Sequence, residues 1–373
     1  MPTGMPGDLR VRGAAVVYRL FDVGYEIRLD KALGLLAASA PELVHLVHCE
    51  AQAIHIPNPP VSVVLGEVQL SIAGQRCDAQ VSARLFDFGV ASIRVTVPAP
   101  EELAWPRFSA FGNAVNGDAA IVALVEQHLQ QLRDRVATAI ERPSLAPVSE
   151  QYVVYRLTAL ARDGVPVQAA DALTDADVVS LLLNESRPLS ADARHDLMPH
   201  RFSYYGDDLA ILTWDNALVV DPAAGDTDVQ LVLEFANAQL LELRFYDALL
   251  DGELPRMYER AARARSVPRA FPSRRFAHVL SDLHTLVADT TELVERAENA
   301  LKVTDDVYLA RVYAAALEIF RARAWRTGID RKLTIIRDTY GMLNDEAEAR
   351  RSETLEIAVV ALIVLELLLG ILR

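Results

Sequence analysis

Cysteine is nearly absent: Cys49 and Cys77 are the only two in 373 residues. Two thiols in a chain this long make no disulfide framework, so a reducing compartment is the default. Positive charge is also short, with 37 Lys and Arg against 51 Asp and Glu and a net charge of −14. That balance argues against a broad nucleic-acid surface, which needs clustered cations facing phosphates. No GxSxG elbow, phosphate-binding P-loop or Rossmann glycine run occurs, so nucleotide and serine-hydrolase chemistry have no positive sign and no cofactor is expected. The first residues, MPTGMPGDLRVRG, lack the apolar core of a secretory signal, so none is expected there. Long apolar runs are missing as well, with one exception at the far end.

That exception is Leu355 to Leu372, LEIAVVALIVLELLLGIL, apolar but for Glu356 and Glu366. As a helix it rises about 27 Å, close to the roughly 30 Å hydrocarbon core of a bilayer. The expectation is a C-terminal transmembrane anchor over 353–373, with a core helix or an oligomer seam as the alternative. Arg321, Arg323, Arg326, Arg331, Lys332, Arg337, Arg350 and Arg351 precede the run and only Arg373 follows it. The positive-inside rule then places the body in the cytoplasm, on the cytoplasmic membrane. Carboxylates within hydrocarbon are costly and face partners or water, so Glu356 and Glu366 read either as self-association groups or as interfacial residues.

Upstream, the pattern is α+β. Val11–Leu20, Val61–Ile72, Gln80–Phe86 and Val90–Val97 read as strands, with a short partner over Tyr25–Leu29. Asp30 is the expected cap of a helix reaching Ala38, and Gly74 and Asp87–Gly89 the expected turns. Ala119–Glu141 has the spacing of an amphipathic helix. Pro143–Val148 is the best linker. After it Tyr152–Leu160 shares VYRL with Val16–Phe21, a helix follows through Val178–Leu183, short strands follow through Val220, and a long helix runs from Asp228 to about Leu250. The order suggests a duplicated α+β unit, 1–142 and 143–265, against a chance likeness of two ordinary strands.

From 266 to 352 the chain reads as helical. Phe276, Leu280, Leu283, Val287, Thr290, Val294, Ala297 and Leu301 alternate four- and three-residue steps, as do Ile329, Leu333, Ile336, Tyr340, Leu343 and Ala347. With Asp305 and Asp306 opening the second arm, this predicts an antiparallel coiled-coil hairpin, its seam met by the other arm, by a second subunit or by another protein, with a homo-oligomer expected.

Candidate chemical groups are sparse. His45, His48, Cys49 and His55 are the only cluster of metal-capable side chains, without a recognised zinc spacing, and no metal is expected. Asp207–Asp208 reads as a turn rather than a catalytic pair, and Asp305–Asp306 as a helix start. Arg263, Arg265, Arg269, Arg274 and Arg275 form a basic patch that suits RNA or anionic headgroups, against the plainer reading of a solvated linker.

Several segments resemble the "required for meiotic nuclear division" (RMD/YagE) family. They are the tail LEIAVVALIVLE, the turn FDFGVASI (Phe86–Ile93), SYYGDDLAIL (Ser203–Leu212), FANAQLLELRFYD (Phe235–Asp247) and VYAAALEIFRAR (Val312–Arg323). The resemblance implies a domain of unknown activity, anchored by its C-terminus, without an established catalytic site; mitochondrial relatives are associated with inner-membrane support of organelle translation, as oligomers. The expected function is therefore a non-enzymatic, tail-anchored scaffold or adaptor for an unknown protein partner. The alternative is a ligand-binding sensor or enzyme with a cleft between the two α+β units.

Overall fold

The computed structural model describes residues 9–46, 54–173, 178–184, 190, 192, 200–223, 225–265, 274–303 and 307–371. The fold is mixed α+β. Its strands are β1 (Leu9–Asp22), β2 (Gly24–Ile27), β3 (Glu42–Leu43), β4 (Ile54–His55), β5 (Val61–Ile72), β6 (Gln75–Leu85), β7 (Val90–Pro98), β8 (Leu103–Ala104), β9 (Ile140–Pro143), β10 (Ser149–Arg162), β11 (Val165–Pro166), β12 (Arg201–Phe202), β13 (Leu209–Leu212), β14 (Asn216–Val220) and β15 (Lys302–Val303). The helices are α1 (Leu29–Leu36), α2 (Trp105–Asn116), α3 (Ala119–Val136), α4 (Ala169–Ala172), α5 (Val178–Leu183), α6 (Asp228–Arg265), α7 (Arg274–Asn299), α8 (Tyr308–Ile319) and α9 (Ala322–Ile371).

The chain divides into two compact units, residues 1–242 with 296–323, and residues 243–295 with 324–373. The first is built on an eleven-stranded sheet in the order β12-β13-β14-β10-β1-β7-β6-β5-β3, with β8 and β11 paired beside β1 and β10. The two VYRL strands are its centre. Val16 lies opposite Val154 and Val17 opposite Val153 in an antiparallel ladder, so the likeness is arranged about a local two-fold axis. It stops there: β1 meets β7 antiparallel, whereas β10 meets β14 parallel. The boundary expected at 142/143 therefore falls inside one sheet, because the two strands complete each other's hydrogen bonds. Nor is Pro143–Val148 a free linker. Ser144 N–H donates to Val23 O at 3.0 Å and Ala146 N–H to Asp22 O at 3.2 Å.

Strand alternation sends Val11, Ala15 and Val17 to one face of the sheet, into a core with Phe108 of α2, Val125 of α3 and Leu181 of α5. Asp118 caps α3, accepting from Ala120 N–H at 2.8 Å. The Asp30 cap does not form: the N-cap is Arg28, and Asp30 sits in the first turn of α1. The turn after β6 needs glycine. Gly89 has φ +93°, and a Cβ there would lie 1.9 Å from Gly24 O.

The opposite face, carrying Val16, Tyr18 and Leu20, is covered by the first part of α6. From Val229 to Leu243 every residue of α6 is buried, including Gln230, Glu234, Asn237, Gln239 and Glu242. A helix buried all round must satisfy its polar groups from both sides. Gln230 Nε2 donates to Tyr18 OH at 2.8 Å, and Tyr313 OH of α8 donates to Gln239 Oε1 at 2.7 Å. Phe86 meets Phe235 edge-on, with centroids 5.1 Å apart.

In the second unit, Leu283, Thr290 and Val294 of α7 and Ile329, Leu333, Ile336 and Leu343 of α9 are buried, whereas Val287 and Tyr340 of the same four-three series are half-buried. Lys332 Nζ on α9 lies 2.7 Å from Asp247 Oδ1 and 2.6 Å from Asp251 Oδ1 on α6, which ties α6 to α9 in this unit. The expected second arm is also divided. α8 ends at Ile319, Arg321 takes φ +53°, and α9 begins at Ala322. The break follows from Phe320, which is fully buried edge-on to Tyr152 and Trp214, with centroids 5.7 and 5.9 Å away.

Candidate functional site

Three features of the structure can carry function, and the first is the end of α9. Eleven large apolar side chains between Leu355 and Leu369 are each 50–65% exposed, and Glu356 and Glu366 are exposed among them. Over 355–371 no side chain that the structure describes is buried. Monomeric soluble surfaces rarely carry contiguous apolar patches of more than a few hundred Å2, so an apolar helix this exposed marks a contact with something else. Among the described residues no single helix is long and apolar enough to cross a membrane, and the apolar run itself is described over 17 residues. The pair α2 and α3 meets that test together, bent by 49°, but it supplies core residues such as Phe108 and Val125.

The second feature is a cleft of about 710 Å3 in the first unit, where the loop before β13, the end of β14, the start of α6 and the start of α8 converge. Tyr204, Tyr205 and Tyr308 line it together with Asp207, Asp208, Asp221 and Asp228, over an apolar floor that includes Leu209, Val219 and Val229. The tyrosine rings meet in a chain. Tyr204 and Tyr205 are perpendicular with centroids 4.7 Å apart, and Tyr204 and Tyr308 are tilted at 5.6 Å. Asp208 Oδ1 accepts from the backbone N–H groups of Tyr204 and Tyr205 at 2.7 and 2.9 Å, so this carboxylate fixes the loop that presents the rings. That is the turn role expected of it. The cleft lies within one unit, not between two repeats.

The third is a charged network between sheet and helix, buried at Arg84, Arg94 and Glu234 and open to solvent at Asp226, which sequence reasoning passed over. Arg84 is ion-paired to Glu234 with both side chains 5% exposed or less, and Arg94 to Asp226. Arg94 Nε donates to Ser82 Oγ at 2.9 Å. Arg84 Nε, Glu234 Oε1 and Ser92 Oγ are buried without a hydrogen-bond partner. Burial alone would raise the Asp226 carboxyl, but Arg94 and Arg84 outweigh it and hold it below the usual carboxylate range. A signal was present: Ser82-x-Arg84 and Ser92-x-Arg94 flank the Phe86–Gly89 turn. In the hairpin Ser82 faces Arg94, and Arg84 faces Ser92. Nearby, burial and then the charge of Asp22 push Glu242 well up, while burial pushes Asp22 itself up to about 6, against the lowering bond from Gly24 N–H.

The residues expected to carry chemistry fare unevenly. His45 and His55 are exposed, and His48 and Cys49 lie outside the described residues. Among the described residues no group of three metal-capable side chains converges. Cys77 is buried, which raises its thiol pKa. Arg263 and Arg265 stand in the last turn of α6 and Arg274 and Arg275 in the first turn of α7, while Arg269, Asp305 and Asp306 lie outside the described residues.

Residues 12–227, which run from β1 past the end of β14, match the family described as "Uncharacterized protein MJ0711, N-terminal domain". The chain belongs to that family. The MJ0711 N-terminal domain thus accounts for nearly all of the sheet, and α6, α7, α8 and α9 lie beyond the match. A relative, "Uncharacterized protein MJ0711" of Methanocaldococcus jannaschii, is 24% identical over 194 residues, 52% of this chain and 58% of its own length. The chain thus spans a little over half of that relative. No solved structure matches it.

Proposed function

We propose that this chain is a non-enzymatic scaffold or adaptor held on a membrane by its C-terminal helix, with the MJ0711-type domain displayed on the cytoplasmic side. The observation that carries the reading is the run of exposed apolar side chains from Leu355 to Leu369. Exposing so much hydrocarbon to water costs about 25 cal/mol per Å2, a penalty removed by insertion into lipid. The basic residues preceding the run set the orientation. The likeness of LEIAVVALIVLE and the segments before it to the RMD/YagE family supports the same reading, and self-assembly is proposed through the exposed end of α9, since the four-three positions of α7 and α9 are already covered within one chain.

The test is fractionation of cells producing the full chain beside a version ending at Ser352, with alkaline extraction of the membrane pellet. Retention of the full chain and release of the shorter one is the expected result. Release of both would assign the tail to an oligomer seam and remove the scaffold's anchor.

A further inference from the structure

The tyrosine-lined cleft has a chemistry of its own, independent of the tail. Two of its rings are largely open to solvent, Tyr204 at 56% and Tyr205 at 59%, while Tyr308 is seated at 8%. The rings touch in sequence, Tyr204 at 90° to Tyr205 and at 48° to Tyr308, and together they form one aromatic wall of the cavity. The negative face of an aromatic ring attracts a weakly hydrated cation. The lining supplies the matching sign: among the described residues it contains four aspartates and no lysine, arginine or histidine. An anion, a phosphate ester or a phosphocholine headgroup would meet those carboxylates unfavourably. The floor of Leu209, Val219 and Val229 suits methyl groups better than water.

We propose that this cleft binds a small quaternary ammonium compound, its methylated nitrogen against Tyr204, Tyr205 and Tyr308 and its charge balanced by the aspartates around them. Ammonium groups with N–H donors would favour the carboxylates alone; a quaternary nitrogen has none and relies on the rings. Non-covalent binding is the whole of the claim.

The test is isothermal titration of the full chain in non-ionic detergent with choline, with its uncharged isostere 3,3-dimethylbutan-1-ol, and with spermidine. Choline should bind about tenfold or more tightly than the isostere, and more tightly than spermidine. Tyr204→Leu should weaken choline binding by about tenfold, and Asp207→Asn by a few-fold, more so at low salt. Tyr204 is exposed, so its substitution keeps the test valid where Tyr308→Leu disturbs folding; circular dichroism checks both variants. Equal binding of the isostere would reduce the site to an apolar pocket and overturn the proposal. Spermidine binding tighter than choline would assign the cleft to polyamines through charge alone. Absence of choline binding at millimolar concentration, or an unchanged affinity in Tyr204→Leu, would also sink it.

Discussion

The sheet and the end of α9 break the same rule in opposite directions. Beneath the sheet, Arg84, Arg94 and Glu234 are charged and buried; along the last turns of α9, leucine, valine and isoleucine are apolar and exposed. The difference lies in whether the exception is compensated within the fold. Arg84 has Glu234 and Asp226, and Arg94 has Asp226 and Ser82, so each buried charge has an opposite charge inside the unit, with Arg84 Nε and Glu234 Oε1 the atoms left over. Leu362 and its neighbours have no counterpart of that kind, since no described side chain over 355–371 is buried. A polar exception inside a core can be satisfied by the fold, whereas an apolar exception outside it calls for another solvent or another surface.

The comparison breaks most readily at the tail. Leu362→Arg with Leu365→Arg places two guanidinium groups near the middle of the run, at roughly 3 kcal/mol each in hydrocarbon. Loss of membrane retention in the alkaline pellet is the expected outcome. Unchanged retention would mean that these side chains do not sit in lipid.

Next is the buried network. Glu234→Ala strands the Arg84 charge and should destabilise by about 3–5 kcal/mol in urea titration in detergent, while the paired change Arg84→Met with Glu234→Leu should be near neutral. A single-variant loss under about 1 kcal/mol would show that water or Asp226 already carries the charge.

Gly89→Ala comes third, at about 3 kcal/mol, because a Cβ at φ +93° also meets Gly24 O. A thermal melt matching the parent would refute the close approach of that turn to β2.

The smallest effect concerns Asp22, whose folded pKa of about 6 lies above the roughly 3.9 of an unfolded chain. The folded state then binds more protons in that interval. The stabilisation is full below about pH 4 and is lost as pH rises through about 6. Asp22→Asn keeps an oxygen for Gly24 N–H and should gain about 1–2 kcal/mol at pH 7 and nothing at pH 4. An equal change at both pH values would remove the titration of Asp22 as its cause.

Much of the fold was legible residue by residue. Alternation marked Val61–Ile72 with the observed bounds, and four-three spacing marked Ile329, Leu333, Ile336 and Leu343 as buried. The helix α2 was not legible, since Pro106, Gly112 and several aromatic residues mask its period, although it carries Phe108 and Phe111 into the core. The cleft was legible only as Asp207–Asp208, because Tyr308 is about a hundred positions away. The charged network had a local sign, serine and arginine two apart on each side of a turn. Its partners, however, are 132 and 150 positions away, Asp226 just before α6 and Glu234 on it.

By itself the sequence determined what depends on neighbours along the chain: the strand and helix periods, the glycine of the Phe86–Gly89 turn, the acidic balance and the apolar run at the end. Tertiary structure alone decided what depends on pairing across the chain. It joined the two VYRL strands into one sheet instead of two domains, and it set α6 over the charged face. It also brought three tyrosines around one cleft. Local periodicity is written in successive residues, but the partner of a strand or a buried charge is chosen by the free energy of the whole packed core.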